Sequence, residues 1–110
     1  MSKTTTVLIL LLAAVLEASG DAVVRYGLHR PSTGARVALF LLGAAVLFGY
    51  GVTVNSPPWD FGRLLGLYVV FFFVIAQVIS WTVFGQRPSL PVLAGGALIL
   101  LGGSVIAVFQ

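Results

Sequence analysis

Four long apolar runs, divided by short polar connectors, fill almost all of this chain. The runs cover about residues 4–24, 37–54, 63–84 and 92–109 of the 110, and the connectors cover residues 25–36, 55–62 and 85–91. An α-helix needs roughly 20 apolar residues to cross a bilayer, so each run is about one span. Hydrophobic residues make up 59% of the chain and charged residues 8%, too apolar a balance for a soluble domain. The sequence predicts an all-α integral membrane protein, a single domain of four transmembrane helices over residues 1–110.

The composition argues against several kinds of chemistry. The chain has no cysteine and a single histidine, His29, so thiolate chemistry and a cysteine- or histidine-based metal site are not expected. No nucleophile, base and orienting group converge in the sequence, and we predict that the protein is not an enzyme and needs no cofactor or metal. The net charge of +3 comes from basic residues at the ends of the apolar runs. There they predict contacts with lipid headgroups rather than with nucleic acid.

The basic residues are unequally divided between the two membrane faces. The face that holds the termini and the second connector has two, and the opposite face has four: Lys3 and Arg63 against Arg25, Arg30, Arg36 and Arg87. By the positive-inside rule both termini are expected outside the cytoplasm. A difference of two charges leaves insertion in both orientations open. The first run lacks an A-x-A cleavage site at its end, and we expect it to remain as a membrane helix rather than act as a signal peptide.

Glu17 is the candidate functional residue that the sequence marks most clearly. It lies about 20 Å of helix from Thr4, inside the hydrocarbon slab. A carboxylate there costs ~2.5–3.5 kcal/mol, so it needs a partner, a water cavity or a proton. Exchanging a proton for a cation at such a carboxylate is the chemistry of a coupled antiporter. Asp21 is a second candidate, although Arg25, four residues later, offers it a structural ion pair instead.

Two further residues in the third run are candidates for the same cavity. Gln77 is either a helix-to-helix hydrogen-bond donor or part of the cavity, and Tyr68 either packs or stacks on a cationic substrate. In the fourth run Gly95 and Gly102 are seven residues apart, as are Gly96 and Gly103, and each pair returns to nearly one helix face. Because four helices enclose little space, we expect a homodimer that packs through Gly95 and Gly102.

Three stretches resemble the small multidrug resistance family of four-helix, dimeric, proton-coupled exporters. The segment Ala14-Val-Leu-Glu-Ala-Ser-Gly20 is similar to the family's membrane glutamate with a glycine three residues later. Ser80-Trp-Thr-Val-Phe-Gly-Gln-Arg87 with Leu90-Pro91 matches the loop between spans three and four, and the Gly95 to Gly102 spacing is similar to the dimerisation heptad. The resemblance covers about half of the chain and assigns the proton and cation role to Glu17.

The third run departs from that family. Where the family has a tyrosine, then a tryptophan, then closely spaced glycines, this chain has Leu65, Tyr68, Val70 and Phe72. The leading hypothesis is a proton-coupled exporter of small cations or amphipathic amines, a homodimer in a prokaryotic inner membrane, with Glu17, Tyr68, Gln77 and Asp21 around the substrate. The alternative is a membrane subunit that kept the scaffold and does not transport.

Overall fold

Four long helices account for nearly the whole chain in the computed structural model, which describes residues 1–109. They are α1 (Lys3–Leu28), α2 (Thr33–Val54), α3 (Phe61–Thr82) and α4 (Leu90–Phe109). All four are long and apolar enough to cross a membrane. The predicted all-helical fold with four apolar spans is confirmed. We call the membrane face that holds the chain's beginning, the α2–α3 connector and the end of α4 the terminal side, and the opposite face the connector side.

The connector between α1 and α2 is shorter than the predicted loop over residues 25–36. Helix α1 continues to Leu28 and α2 begins at Thr33, so four residues lie between them. Ser32 ends the connector because its hydroxyl accepts a hydrogen bond from the Ala35 amide at 3.3 Å, a helix N-cap. A helix can continue beyond the hydrocarbon because its backbone hydrogen bonds are satisfied internally. An apolar run therefore predicts the part of the helix inside the membrane and not its full length.

The other helix ends follow local chemistry. The Ser2 hydroxyl accepts a hydrogen bond from the Thr5 amide at 3.1 Å and begins α1. Asp60 occupies the N-cap position of α3, but its side chain makes no capping hydrogen bond. Gly85 follows α3 with a φ of 65°, a conformation that glycine adopts at no steric cost, and so turns the chain toward α4.

Helix α1 packs against α2 through two glycines that let the backbones approach. A Cβ added at Gly20 would stand 2.8 Å from the Leu47 side chain, and one at Gly43 would meet Val24 at 2.5 Å. Side chains of ordinary size at these positions would force the helices apart. Close backbone approach replaces the hydrophobic drive that lipid does not supply between membrane helices.

Helix α4 packs on α3 in the same way, with two glycines of α4 against larger side chains of α3, and Gly66 of α3 against Ile106 of α4. Phe73 occupies the space beside Gly96, and Val70 the space beside Gly103. The main helix contacts run from α2 to α1, from α1 to α3 and from α3 to α4. The molecule is therefore a flattened layer of helices, 50 × 34 × 19 Å, with its core between α1, α3 and the end of α2 on the terminal side.

Candidate functional site

The carboxylate of Glu17 and the phenol of Tyr68 form a hydrogen bond between α1 and α3. The Tyr68 hydroxyl donates to Oε1 of Glu17 at 2.9 Å. Tyr68 is 4% exposed and belongs to the core, whereas Glu17 is half-buried. The sequence predicted both residues for one site, and the structure brings them together.

Glu17 lies near the middle of its helix. It is about 21 Å from Lys3 and about 16 Å from Leu28 along the axis of α1. Hydrocarbon extends about 15 Å on either side of the bilayer centre, so the carboxylate is far from both headgroup layers. Within residues 1–109 no lysine, arginine or histidine forms an ion pair with it. A neutral phenol is thus the partner that the described part of the chain gives this acid.

A layer of aromatic rings surrounds the phenol. The ring centroids of Tyr50, on α2, and Tyr68 are 5.6 Å apart, and those of Tyr68 and Phe72 are 6.3 Å apart. The Tyr68 ring thus contacts Tyr50 and Phe72, while its hydroxyl donates to the carboxylate of Glu17. The stacking of Tyr68 on a substrate, expected from the sequence, is not open to it in this conformation.

Tyr50 is a site residue that sequence reasoning missed. It is the single tyrosine of α2 and lies four residues before the end of that helix, where an aromatic residue reads as an ordinary interfacial anchor. Its contact with Tyr68 depends on how α2 packs beside α1. A tyrosine alone in an otherwise apolar span was the signal that could have drawn attention to it.

A cleft opens between α1 and the end of α3, on the connector side of the Glu17–Tyr68 bond. Its volume is about 230 Å³. Small side chains of α1 and α3, Ala18, Ala22 and Ala76, leave this space, and Ile79 adds to its apolar wall. We call it the connector cleft and define it by its larger and polar lining residues: Asp21, Arg25, Phe72, Ser80, Phe84 and Gln86.

Asp21 lines the connector cleft together with Arg25, yet the two side chains do not pair. No ion pair joins them within residues 1–109, and the Arg25 guanidinium instead lies 5.5 Å from the centroid of the Phe84 ring. The structural ion pair that the sequence offered for Asp21 is absent there. Asp21 is exposed in the cleft, four residues and about 6 Å along the axis from Glu17.

Gln77 does not reach this site within one chain. It lies nine residues after Tyr68 on α3, a turn of about 180° around the helix axis. Gly66, Val70 and Phe73 are α3 residues in contact with α4, and Gln77 continues that row by the helical spacing of i, i+4, i+7, i+11. Gln77 does not line the connector cleft, and its place around a substrate stays a prediction.

The two glycine pairs of α4 face different surroundings. Gly96 and Gly103 are buried against α3, while a Cβ added at Gly95 or Gly102 would meet nothing within 4 Å. Gly95 and Gly102, the predicted dimer contacts, therefore lie on a surface that the chain itself leaves uncovered.

Every arginine of the chain lies over an aromatic ring. The distance from guanidinium carbon to ring centroid is between 4.0 and 6.0 Å in all five cases: Arg25 with Phe84, Arg30 with Tyr26, Arg36 with Phe40, Arg63 with Trp59, and Arg87 with Trp81. Aromatic rings and long cationic side chains both favour the membrane interface. Four of these five pairs lie on the connector side.

Among residues 1–109 no group of three acidic or histidine side chains is placed to hold a metal ion.

Two curated proteins are similar to this chain over nearly all of its length. A UPF0060 membrane protein of Herpetosiphon aurantiacus is 30% identical over 102 residues, which cover 91% of this chain and 90% of that protein. A UPF0060 membrane protein of Clostridium perfringens is 29% identical over 108 residues, which cover 96% of this chain and 95% of that protein. No protein-family model and no solved structure matches the chain. With its four apolar helices and this similarity, the chain is a multi-pass membrane protein that belongs to the UPF0060 family.

Proposed function

We propose that this protein is a proton-coupled exporter of small cations or amphipathic amines, and that it works as a homodimer in a prokaryotic inner membrane. The observation that carries the proposal is Glu17, a mid-membrane carboxylate whose partner within residues 1–109 is the neutral phenol of Tyr68. A structural acid in a membrane is normally balanced by a cationic side chain. The charge of Glu17 is therefore balanced by a species that binds and dissociates.

A proton and a substrate cation are the two ways to balance this charge. An ionised carboxylate at the bilayer centre costs ~2.5–3.5 kcal/mol, which either of them removes. Binding one raises the cost of holding the other, since two positive charges would then share one acid. Release of a proton on one side and of a cation on the other follows from this competition, and that exchange is antiport.

The shape of the chain favours a dimer. The flattened layer of helices is 19 Å across its shortest dimension, less than about two helix diameters, so one chain does not surround a solute. Gly95 and Gly102 leave open space on one face of α4, the helix at the edge of the layer. Small residues on a membrane helix allow close packing of a second copy. The second chain would close the open side of the site.

The sequence resemblance supports the same proposal. The small multidrug resistance family combines a membrane glutamate in its first span with a dimerisation heptad in its fourth, and this chain has Glu17 and the Gly95 to Gly102 spacing at the corresponding places. The names of the two UPF0060 relatives specify no substrate. The substrate class therefore rests on the charge of the site.

A non-transporting membrane subunit is the second candidate, and the packing of α4 favours it. Val70 and Phe73 fill the spaces beside Gly103 and Gly96, so α3 and α4 interlock instead of bending at glycines of α3. A helix pair that interlocks resists the bending that alternating access requires. The hypothesis of a non-transporting subunit predicts that Glu17 exchanges no proton when cations are added.

Proton release on addition of a cation separates the two candidates. The purified protein, in nanodiscs and weak buffer, is titrated with tetraphenylphosphonium while a soluble pH indicator reports released protons. The exporter releases up to one proton per Glu17 as the cation binds, and Glu17→Gln releases none. Asp60→Asn is the matched control, because it removes an acid at the terminal-side interface and leaves the release unchanged. If the wild type releases no proton over the whole working pH range, the exporter proposal is rejected in favour of the non-transporting subunit.

A further inference from the structure

We infer that the connector cleft binds a zwitterionic amine, with its ammonium group at Asp21 and its anionic group at Arg25. This inference rests on the proposed function and names the substrate class for it. The starting observation is that the cleft contains an acid and a base that leave each other unpaired.

The cleft is balanced in charge and mixed in polarity. Asp21 and Arg25 are the two charged groups of its lining, and the aromatic rings of Phe72 and Phe84 belong to its apolar wall. A simple cation entering this space is attracted by Asp21 and repelled by Arg25. A ligand that carries both charges satisfies both side chains.

The Arg25 guanidinium has N–H donors that are available to a ligand. Its carbon lies 5.5 Å from the Phe84 ring centroid, and within residues 1–109 its N–H groups make no hydrogen bond. The N–H groups lie in the guanidinium plane and stay available to a carboxylate or phosphate, which arginine binds with two parallel hydrogen bonds. The contact with Phe84 thus leaves the hydrogen-bonding capacity of Arg25 unused.

Gln86 offers a further donor at the same end of the cleft. The Ser80 hydroxyl donates to the Gln86 backbone carbonyl at 3.2 Å and lies 3.5 Å from its side-chain Oε1. These contacts leave the side-chain NH₂ of Gln86 for a ligand oxygen. The end of the cleft near the α3–α4 connector therefore has the cation and a neutral donor that an anionic group needs.

The order of the charges fixes the orientation of the ligand. Asp21 is about 10 Å from the end of α1, and Arg25 is about 5 Å from it, so the acid is the deeper group. A ligand entering from the connector side passes its ammonium group to Asp21 and leaves its anionic group at the mouth. The ammonium is then about one helical turn from Glu17, close enough for the proton competition proposed above.

The size of the cleft limits the ligand. A volume of about 230 Å³ is below the roughly 300–1,000 Å³ of pockets for drug-sized molecules. Asp21 and Arg25 are about 6 Å apart along the helix axis, which an extended ω-amino acid of a few carbon atoms spans. The same pair of charges occurs in the headgroup of phosphatidylethanolamine, so the zwitterion is either a free solute or a lipid headgroup.

Three probes of similar length test the need for both charges. Binding of 4-aminobutanoate, butylamine and butanoate is measured by calorimetry on the full protein in phosphatidylglycerol nanodiscs. We expect 4-aminobutanoate to bind roughly 10- to 100-fold more tightly than either singly charged probe, the range for hydrogen bonds to charged groups. Equal affinities of butylamine and 4-aminobutanoate would overturn the inference.

Variants assign the two ends. Arg25→Gln should remove the advantage of 4-aminobutanoate and bind butylamine more tightly, because the repulsion of a simple cation by Arg25 is gone. Asp21→Asn should weaken the binding of both. Arg36→Gln is the matched control, because it removes an arginine on the same membrane side that stacks on Phe40 and does not line the cleft. An Arg25→Gln protein that keeps the preference, with unchanged helicity and oligomeric state, would refute the role of Arg25.

Two further measurements separate the sources and the hypotheses. If phosphatidylethanolamine in the nanodiscs competes with 4-aminobutanoate, the zwitterion is a lipid headgroup; if it does not compete, the zwitterion is a solute. Proton release with tetraphenylphosphonium is measured on the same samples. Glu17-dependent release without zwitterion preference rejects this inference and leaves the exporter proposal standing, whereas absence of release with every probe rejects both.

Discussion

The phenolic hydroxyl of Tyr68 donates a hydrogen bond of 2.9 Å to Oε1 of Glu17 and so joins α3 to α1 near the middle of the membrane. The two residues are 51 positions apart in the chain. Tyr68 is fixed in turn by Tyr50 of α2, whose ring centroid is 5.6 Å away. Three helices thus contribute to the surroundings of one carboxylate, and we expect a substitution at Tyr50 or Tyr68 to alter the environment of Glu17.

A double-mutant cycle should show that Glu17 and Tyr68 are energetically coupled. Hydrogen bonds to charged groups contribute about 1.5–3 kcal/mol, and neutral ones about 0.5–1.5 kcal/mol. Free energies of unfolding of Glu17→Ala, Tyr68→Phe and the double variant, measured by SDS titration in mixed micelles, should give a coupling of about 1–3 kcal/mol. Tyr26→Phe, which alters an exposed tyrosine at the end of α1, serves as control. Additive effects would mean that the bond contributes nothing to stability.

The α1–α2 contact predicts a difference between two glycines of the same helix. A Cβ at Gly43 would stand 2.5 Å from the Val24 side chain and 3.3 Å from the Gly20 carbonyl oxygen, whereas one at Gly49 would meet nothing within 4 Å. Gly43→Ala should therefore destabilise the protein by about 1–3 kcal/mol, the usual cost of overpacking. Gly49→Ala should be neutral or slightly stabilising, because alanine favours the helix. Equal stabilities in SDS unfolding would show that α1 and α2 separate freely.

The existence and order of the helices could be read from the sequence because a bilayer fixes the length of an apolar run. The predicted spans 4–24, 37–54, 63–84 and 92–109 each overlap one observed helix, Lys3–Leu28, Thr33–Val54, Phe61–Thr82 and Leu90–Phe109. The ends differ by up to four residues. Local hydrogen bonds such as the Ser32 cap set those ends, and a hydropathy pattern does not contain them.

The site could be predicted only in part because its residues come from three helices. Glu17 stood out alone, since a carboxylate in an apolar run is costly wherever its neighbours are. For Gln77 the sequence left open a helix-to-helix hydrogen bond or a place in the cavity, and its spacing from Tyr68 turns it about 180° away around α3. The contact of Tyr50 with Tyr68, and the choice between the two glycine pairs of α4, depend on rotations of whole helices that one sequence does not specify.

The distribution of arginines predicts the orientation and how to disturb it. Four basic residues flank the connector side and two flank the terminal side, so a C-terminal alkaline phosphatase fusion in a bacterial host should be active, with the terminus outside the cytoplasm. Changing both Arg30 and Arg87 to Gln equalises the two sides and should produce a mixed population, active and inactive. Arg63→Gln increases the bias and is the matched control, with activity kept. An inactive fusion of the natural sequence would reverse the assignment of the two sides.

Two adjacent glycines of α4 separate folding from dimerisation. Gly103 lies against Val70 of the same chain, and a leucine there must push α3 away, whereas Gly102 has no neighbour within 4 Å of its added Cβ. Gly103→Leu should therefore lower the free energy of unfolding by about 1–3 kcal/mol, measured by SDS titration. Gly102→Leu should keep the stability of the monomer and weaken dimerisation roughly tenfold or more, measured by single-molecule photobleaching in vesicles of graded protein density. Gly51→Leu is the control for bulk on an open surface, since that glycine also has no neighbour within 4 Å. A Gly102→Leu chain that dimerises like the natural protein would move the interface away from this face of α4, and the second copy would then have to close the Glu17 site through another helix.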